Sequence, residues 1–300
     1  MQAKNFFKKF KDLFLKFWKT KNSGIALLRD VLVALLLVFI VLIALWSYTG
    51  QWFGAPMVAI ESGSMQHRNE PFGRIGTIDA GDMVLLVKIN KKSEIDPFIN
   101  DNKQNMQYGK TGDVIVYHPD GNPGLDQIIH RAMCWVEVEY INGVKTYTIE
   151  GTEYINHSAT EKIYIPELGI KDQNHDPVKV DWSHSGFITK GDNPDTNYLC
   201  DQTGGIAKEP VKVDWISGKA RGEIPWIGTI NLFFNDLVSG KGSTVKNVPG
   251  DSLICLVLLI MFLVSIPITL DVYSYFKEKE KKKKETEQLK NQDNDFNRYN

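Results

Sequence analysis

Three cysteines in 300 residues, Cys134, Cys200 and Cys255, are too few for a disulfide framework. Cys255 lies in an apolar run, and Cys134 and Cys200 share no metal-type spacing. Two alternatives stay open for that pair: they bond to each other or remain thiols. Charge of one sign is also lacking. Lys and Arg number 35 against 36 Asp and Glu, a net charge of −1, which provides no basic field for nucleic acid. Histidine is scarce at six residues, and His118, His157, His175 and His184 have no ligand spacing among themselves, so no metal or cofactor is implied. Apolar residues make up an ordinary 43% of the chain but are concentrated at two places. That distribution excludes both a wholly soluble protein and a many-span transporter.

The first apolar run, VLVALLLVFIVLIALW, begins at Val31, and the second, SLICLVLLIMFLVSIPITL, covers Ser252 to Leu270. Each approaches the ~20 residues that cross a bilayer core. Arg29–Asp30 and Asp271 bracket them, and neither contains a charge. The first is too long for a signal-peptide core of ~7–15 residues. Trp46, Tyr48, Trp52 and Phe53 form an interfacial aromatic belt. Residues 1–30 hold eight basic residues against Asp12 and Asp30, residues 271–300 hold eight more, and residues 31–270 are net −8. The positive-inside rule then predicts two passes, cytoplasmic termini and an extracytoplasmic middle.

The expected organisation is a basic amphipathic cytoplasmic segment (1–30), a transmembrane helix (31–53), an extracytoplasmic β-rich domain (54–250), a second transmembrane helix (251–272) and a charged tail (273–300), disordered beyond a short helical extension. The opening stretch FFKKFKDLFLKFWK has the pattern of a helix lying on anionic lipid. Between the spans, segments 83–89, 113–118, 127–140, 145–151, 185–191 and 217–228 carry the β-branched and aromatic residues of strands. Turn signals separate them, among them PDGNPG at 119–124 and Asn142-Gly143. The fold class expected is mainly β, antiparallel. Residues 90–112 and 152–182 are polar and irregular and read as loop insertions.

Three short segments carry residues suited to nucleophilic catalysis. Ser62-Gly63-Ser64-Met65 is a small serine turn about a dozen residues beyond the first span, His130 stands in the strand-like Ile128-Ile129-His130-Arg131, and Asp192, Asp195 and Asp201 lie in and after Thr189-Lys190-Gly191-Asp192-Asn193. A serine hydroxyl needs a neighbouring base, an imidazole can accept and return a proton, and a carboxylate can fix the imidazole tautomer.

In this order the motifs are similar to those of type I signal peptidases of the archaeal and endoplasmic-reticulum, Ser–His subtype. The matching stretches are SGSM (62–65), AGDMVLLV (80–87), GDVIVYH (112–118), IIHRA (128–132), FITKGDN (187–193) and GKARGEIPWIG (218–228). The resemblance implies a serine endopeptidase, a hydrolase that removes signal peptides from exported preproteins at the plasma membrane. Its β-rich catalytic domain would be tethered beside the bilayer, with secretion-machinery partners and no cofactor. It puts Ser64 at the nucleophile, His130 at the general base and the Ser62 hydroxyl, with the Ser64 amide, at the oxyanion. It assigns Asp201 to orienting the histidine with Asp192 in support, and Asp195 competes for that role. Two departures stand out. His67 occupies the position where proline is common, and residues 66–79 form a longer link to the GD motif. His67 is thereby an alternative base. The reading from a different class is a non-catalytic, membrane-anchored β-domain that binds exported chains or partner subunits.

Overall fold

The computed structural model describes the chain except residues 1–8, 10, 12–14, 21, 240–242 and 297–300, together with the side chains of 239, 283 and 285–296. Half of the expected lipid-lying helix, residues 6–8, 10 and 12–14, therefore falls outside the described residues. The chain divides into two compact units, Met1–Val58 with Val84–Glu223 and Ala59–Met83 with Ile224–Asn300.

The first unit begins with helix α1, Ser23–Thr49. Asn22 caps it, its Oδ1 accepting from the amides of Gly24 and Ile25 at 3.0 and 3.3 Å. At the other end Gly50 adopts a left-handed φ of 69° and donates back to the Trp46 carbonyl. That glycine stops the helix short of the expected boundary at residue 53. Beyond the cap Trp46 packs on Phe53 with ring centroids 5.3 Å apart and donates through Nε1 to the Gly54 carbonyl at 3.1 Å. The helix end is tied to the sheet behind it. Lys88 N donates to the Thr49 carbonyl at 2.8 Å, and Gln51 Nε2 donates to the Ser217 carbonyl at 2.6 Å.

The strands are β1 (Met57–Ala59), β2 (Met83–Val87), β3 (Met106–Gln107), β4 (Lys110–Thr111), β5 (Val114–Tyr117), β6 (Ile128–Ile141), β7 (Val144–Ile149), β8 (His157–Ser158), β9 (Gly186–Lys190) and β10 (Ile216–Ile224). Eight form one sheet in the order β1-β2-β10-β5-β6-β7-β8 with β9 paired to β6, and β3 and β4 form a separate hairpin. Neighbours of the central β6 pair antiparallel. The β6–β7 turn is Asn142-Gly143, both at positive φ, as a two-residue hairpin of right-handed twist requires. One core cluster surrounds Tyr147, Trp182 and Ile188, and a second surrounds Tyr117, Trp135 and Phe187. Segment 152–182 is irregular, but it is not a surface loop. Ile163, Leu168 and Ile170 are fully buried and pack into the first core. Cys134 and Cys200 are buried free thiols in that same cluster.

In the second unit, residues 60–83 pack on helix α3 (Gly228–Ser239) and the start of α4 (Gly250–Phe296); the short α2 (Asp201–Gly204) belongs to the first unit. Thr229 N donates to the Gly81 carbonyl, Trp226 N to Asp82 Oδ1 and Arg74 Nε to Asp251 Oδ1, at 2.9, 2.9 and 3.1 Å. Gly228 permits the closest approach, because a Cβ there would stand 2.2 Å from the Asp82 carbonyl oxygen. Inside α4, Pro267 is flanked by Ser265 and Thr269, whose hydroxyls bond the Phe262 and Ser265 carbonyls at 2.7 Å each.

Two expectations are corrected. The charged tail continues α4 through Phe296 rather than stopping at a short extension. Lys and Glu four residues apart favour that, Lys282 Nζ standing 2.8 Å from Glu278 Oε1. More residues lie in helix than in strand, so the chain is not mainly β: it is an antiparallel sheet core accompanied by two helices, Ser23–Thr49 and Gly250–Lys282, long and apolar enough to cross a membrane.

Candidate active site

Strand β6 places His130 opposite Ile115 of β5, and β9 places Thr189 opposite Ala132 of β6. Side chains alternate across a pleated strand, so Tyr117, His130 and Thr189 share one face, while Arg131 and Lys190 share the other. Asp201 reaches the first face from the start of α2, just after buried Cys200. His130 and Asp201 are 2% and 1% exposed, and His130 Nδ1 lies 2.8 Å from both carboxylate oxygens. An acceptor-only carboxylate selects the tautomer with the proton on Nδ1, which leaves Nε2 with a lone pair.

Two further donors hold that carboxylate. Tyr117 OH donates to Asp201 Oδ2 at 2.7 Å and Thr189 Oγ1 donates to the same oxygen at 2.6 Å. Burial, reinforced by the Asp201 charge, drives the Tyr117 phenol well above its ordinary range, so it stays a donor. Gln202 closes the network, its Oε1 accepting from Thr189 N at 3.1 Å. Neither Tyr117 nor Thr189 figured among the expected site residues. No sequence signal marked Tyr117: its register, two residues from the position paired with His130, is set by the β5–β6 pairing, and a buried phenol needs a polar partner.

Asp192 sits on the opposite face. Its Oδ1 accepts from Arg131 Nε at 3.0 Å, and the Arg131 guanidinium also donates to the Thr111 and Gln107 carbonyls at 3.1 and 3.0 Å. It thus fixes the strand segment following His130 and does not touch the imidazole. Asp195 is exposed on the intervening turn. The turn is long enough to carry the chain to Asp201 because Asn197 N closes back onto the Asn193 carbonyl at 2.9 Å.

The serine turn belongs to the second unit. Ser64 is partly exposed, Met65 beside it is fully buried, and Ser62 Oγ donates to Ser64 Oγ at 3.3 Å. Met65 therefore anchors the turn. His67 is half-buried, and its backbone amide donates to the Glu70 carboxylate. The extended 66–79 link is an ionic cluster. Arg74 contacts Glu70, lies 3.3 Å from Asp79 Oδ1 and bonds Asp251 at the start of α4. Burial first, and the neighbouring Glu70 charge with it, raises Asp79 to about 7, and burial raises Asp82 to about 6.

Among the described residues no group of His, Cys, Asp and Glu has the arrangement of a metal site. No protein-family model matches the chain, and no curated protein matches it either. The first unit thus holds a buried His130–Asp201 pair, and the second holds the partly exposed Ser62–Ser64 turn.

Proposed function

We propose that the chain is a membrane-anchored serine endopeptidase that removes signal peptides from exported preproteins. The observation that carries this reading is the buried His130–Asp201 pair, formed by residues 71 positions apart and held by Tyr117 and Thr189. A binding module has no need of a desolvated carboxylate dedicated to one imidazole tautomer. The order of SGSM, IIHRA and TKGDN and the two apolar helices support the same assignment.

In the proposed reaction Ser64 Oγ attacks the scissile carbonyl as His130 Nε2 takes its proton. The Ser64 amide and the Ser62 hydroxyl receive the developing oxyanion. The imidazolium then protonates the leaving amine, which departs, and water hydrolyses the acyl-enzyme with the same histidine as base. Asp201 stabilises the imidazolium throughout. The bilayer brings enzyme and substrate together, because a signal peptide's apolar core enters the same membrane. Both termini are assigned to the cytoplasm and the β-sheet to the outer side.

Reconstituted proteoliposomes presented with a preprotein test this. Ser64→Ala and His130→Ala should each abolish cleavage with the far-ultraviolet spectrum of the parent; Ser64→Ala should keep the parental melting temperature, and His130→Ala should lower it because buried Asp201 loses its partner. Cleavage at the parental rate by both variants would overturn the mechanism and leave the non-catalytic binding module in its place.

A further inference from the structure

The reverse face of the strands that carry His130 and Thr189 holds a cavity of about 150 Å³. It is lined by Lys110, Arg131, Lys190 and Asn197, with Phe98 and Met133 as an apolar floor. The cationic lining follows from register, since Arg131 and Lys190 are direct cross-strand partners and project together.

Their hydrogen bonding is unequal. Arg131 is saturated by Asp192 and four neighbouring carbonyls, and its charge neutralises Asp192. Lys110 Nζ bonds the Asp192 carbonyl at 3.0 Å and stands 3.6 Å from Asp192 Oδ1 as a looser ion pair, which leaves it protons for a further acceptor. The Lys190 ammonium has no hydrogen-bond partner among the described residues, although its stem is half-buried against Gly169. Lys110 and Lys171 stand close enough to disfavour its charge, which burial already opposes. Lys171 itself is buried against His175, Nζ to Nδ1 at 2.7 Å. The carboxylates facing this group are Asp192, already paired with Arg131, and Glu167, exposed at the rim. The local balance is positive, and a half-buried lysine whose ammonium opens on the cavity with no protein acceptor among the described residues offers an anion a charge-assisted hydrogen bond.

We propose that this cavity is a binding site for one small tetrahedral oxyanion of the phosphate or sulfate class, held by Lys190 and Lys110 with the Asn197 amide beside them. The volume accommodates one such ion with residual hydration. Occupancy would lock Lys190 in place, and through the adjacent Thr189 it would stiffen the donor that holds Asp201. The site stands independently of the proteolytic reading.

The test uses the full chain in a non-ionic, phosphate-free detergent, titrated with inorganic phosphate at constant ionic strength against chloride. Calorimetry should show saturable binding and a melting temperature that rises with phosphate. Lys190→Met should weaken binding at least about tenfold, the loss expected for one charge-assisted hydrogen bond, and Lys190→Arg should retain it. Lys110→Ala provides the same readout should Lys190→Met fold poorly. A phosphomonoester lipid carries the same oxyanion, so phosphatidic acid doped into the micelles forms a second arm. Displacement of that lipid by inorganic phosphate supports the site with a headgroup as its source. The inference is overturned by absence of saturable phosphate and phosphatidic acid binding, or by undiminished binding in folded Lys190→Met and Lys110→Ala.

Discussion

Asp201 accepts three bonds, from His130, Tyr117 and Thr189, and each donor disperses carboxylate charge that the imidazole would otherwise feel. Tyr117→Phe removes one donor without changing shape. The carboxylate then pulls harder on the Nδ1 proton and favours the imidazolium. The acid limb of the cleavage pH profile should move to higher pH, with a rate loss in keeping with about 1–3 kcal/mol for an unsatisfied buried acceptor. Thr189→Val should move the limb the same way. Asp201→Asn removes the charge and should lower the rate about 10³–10⁴-fold, as in other serine proteases whose carboxylate is neutralised. Asp192→Asn leaves Arg131 buried without its counter-ion and should act on stability, by about 3–5 kcal/mol, with no displacement of the acid limb. A profile unmoved by Tyr117→Phe would remove that residue from the positioning role. The strand placement of His130 was legible from its apolar neighbours, whereas its assignment as base came from the order of the motifs and the resemblance they carry, since a lone histidine in a strand is ordinarily structural. Asp201 required allowing the turn after Asp192 to be longer than usual. Tyr117 was hidden, since an aromatic in a strand is ordinarily core.

The 66–79 link is the element on which pH should act most strongly. Folded Asp79 keeps its proton up to about 7, while an unfolded aspartate releases it near 3.8. Between those values the folded state binds more protons, so this group's contribution is fully present below about pH 4 and is lost as the pH climbs to 7. Asp82, raised to about 6, adds to the same trend. Asp79→Asn should therefore raise the melting temperature at pH 8, by on the order of 1–3 kcal/mol of stability, and flatten its decline between pH 5 and 8. Parallel melting curves for the two proteins across that range would show that the cluster does not hold a shared proton. The same contrast between pattern and packing explains which elements were legible. Strands β2, β5, β6, β7, β9 and β10 were readable because β-branched residues alternate between clear turn signals. Segment 152–182 was read as an insertion because Ile163, Ile165, Leu168 and Ile170 are set among polar residues with neither a two-residue nor a helical period, yet they enter the core. Burial there comes from irregular backbone, which leaves no periodicity to detect.

At the scale of the whole chain the governing feature is the contrast between neutral spans and charged flanks. Helix α4 has 47 residues, about 70 Å at 1.5 Å per residue, more than twice a bilayer core of about 30 Å. Only its apolar first half can sit in lipid, and the run of lysines after Phe276 must lie in water or among headgroups. On the proposed topology two crossings put both ends on one side, and eight basic residues at each end against a net −8 between them favour the cytoplasm for that side. An epitope placed after Asn300 should therefore resist protease in intact cells and become sensitive only on permeabilisation, whereas one inserted at the exposed Asn142-Gly143 hairpin should be sensitive in both. The converse pattern would place the sheet inside the cell, where secretory signal peptides are not cleaved, and would end the proposed function even if His130 and Asp201 were shown to act together. Removing the flanking charge offers the causal check. Replacing the lysines of 277–284 by glutamine weakens the positive-inside signal at one end only. The N-terminal cluster should then hold the first crossing in place, with the second span inserting less efficiently rather than the whole chain inverting.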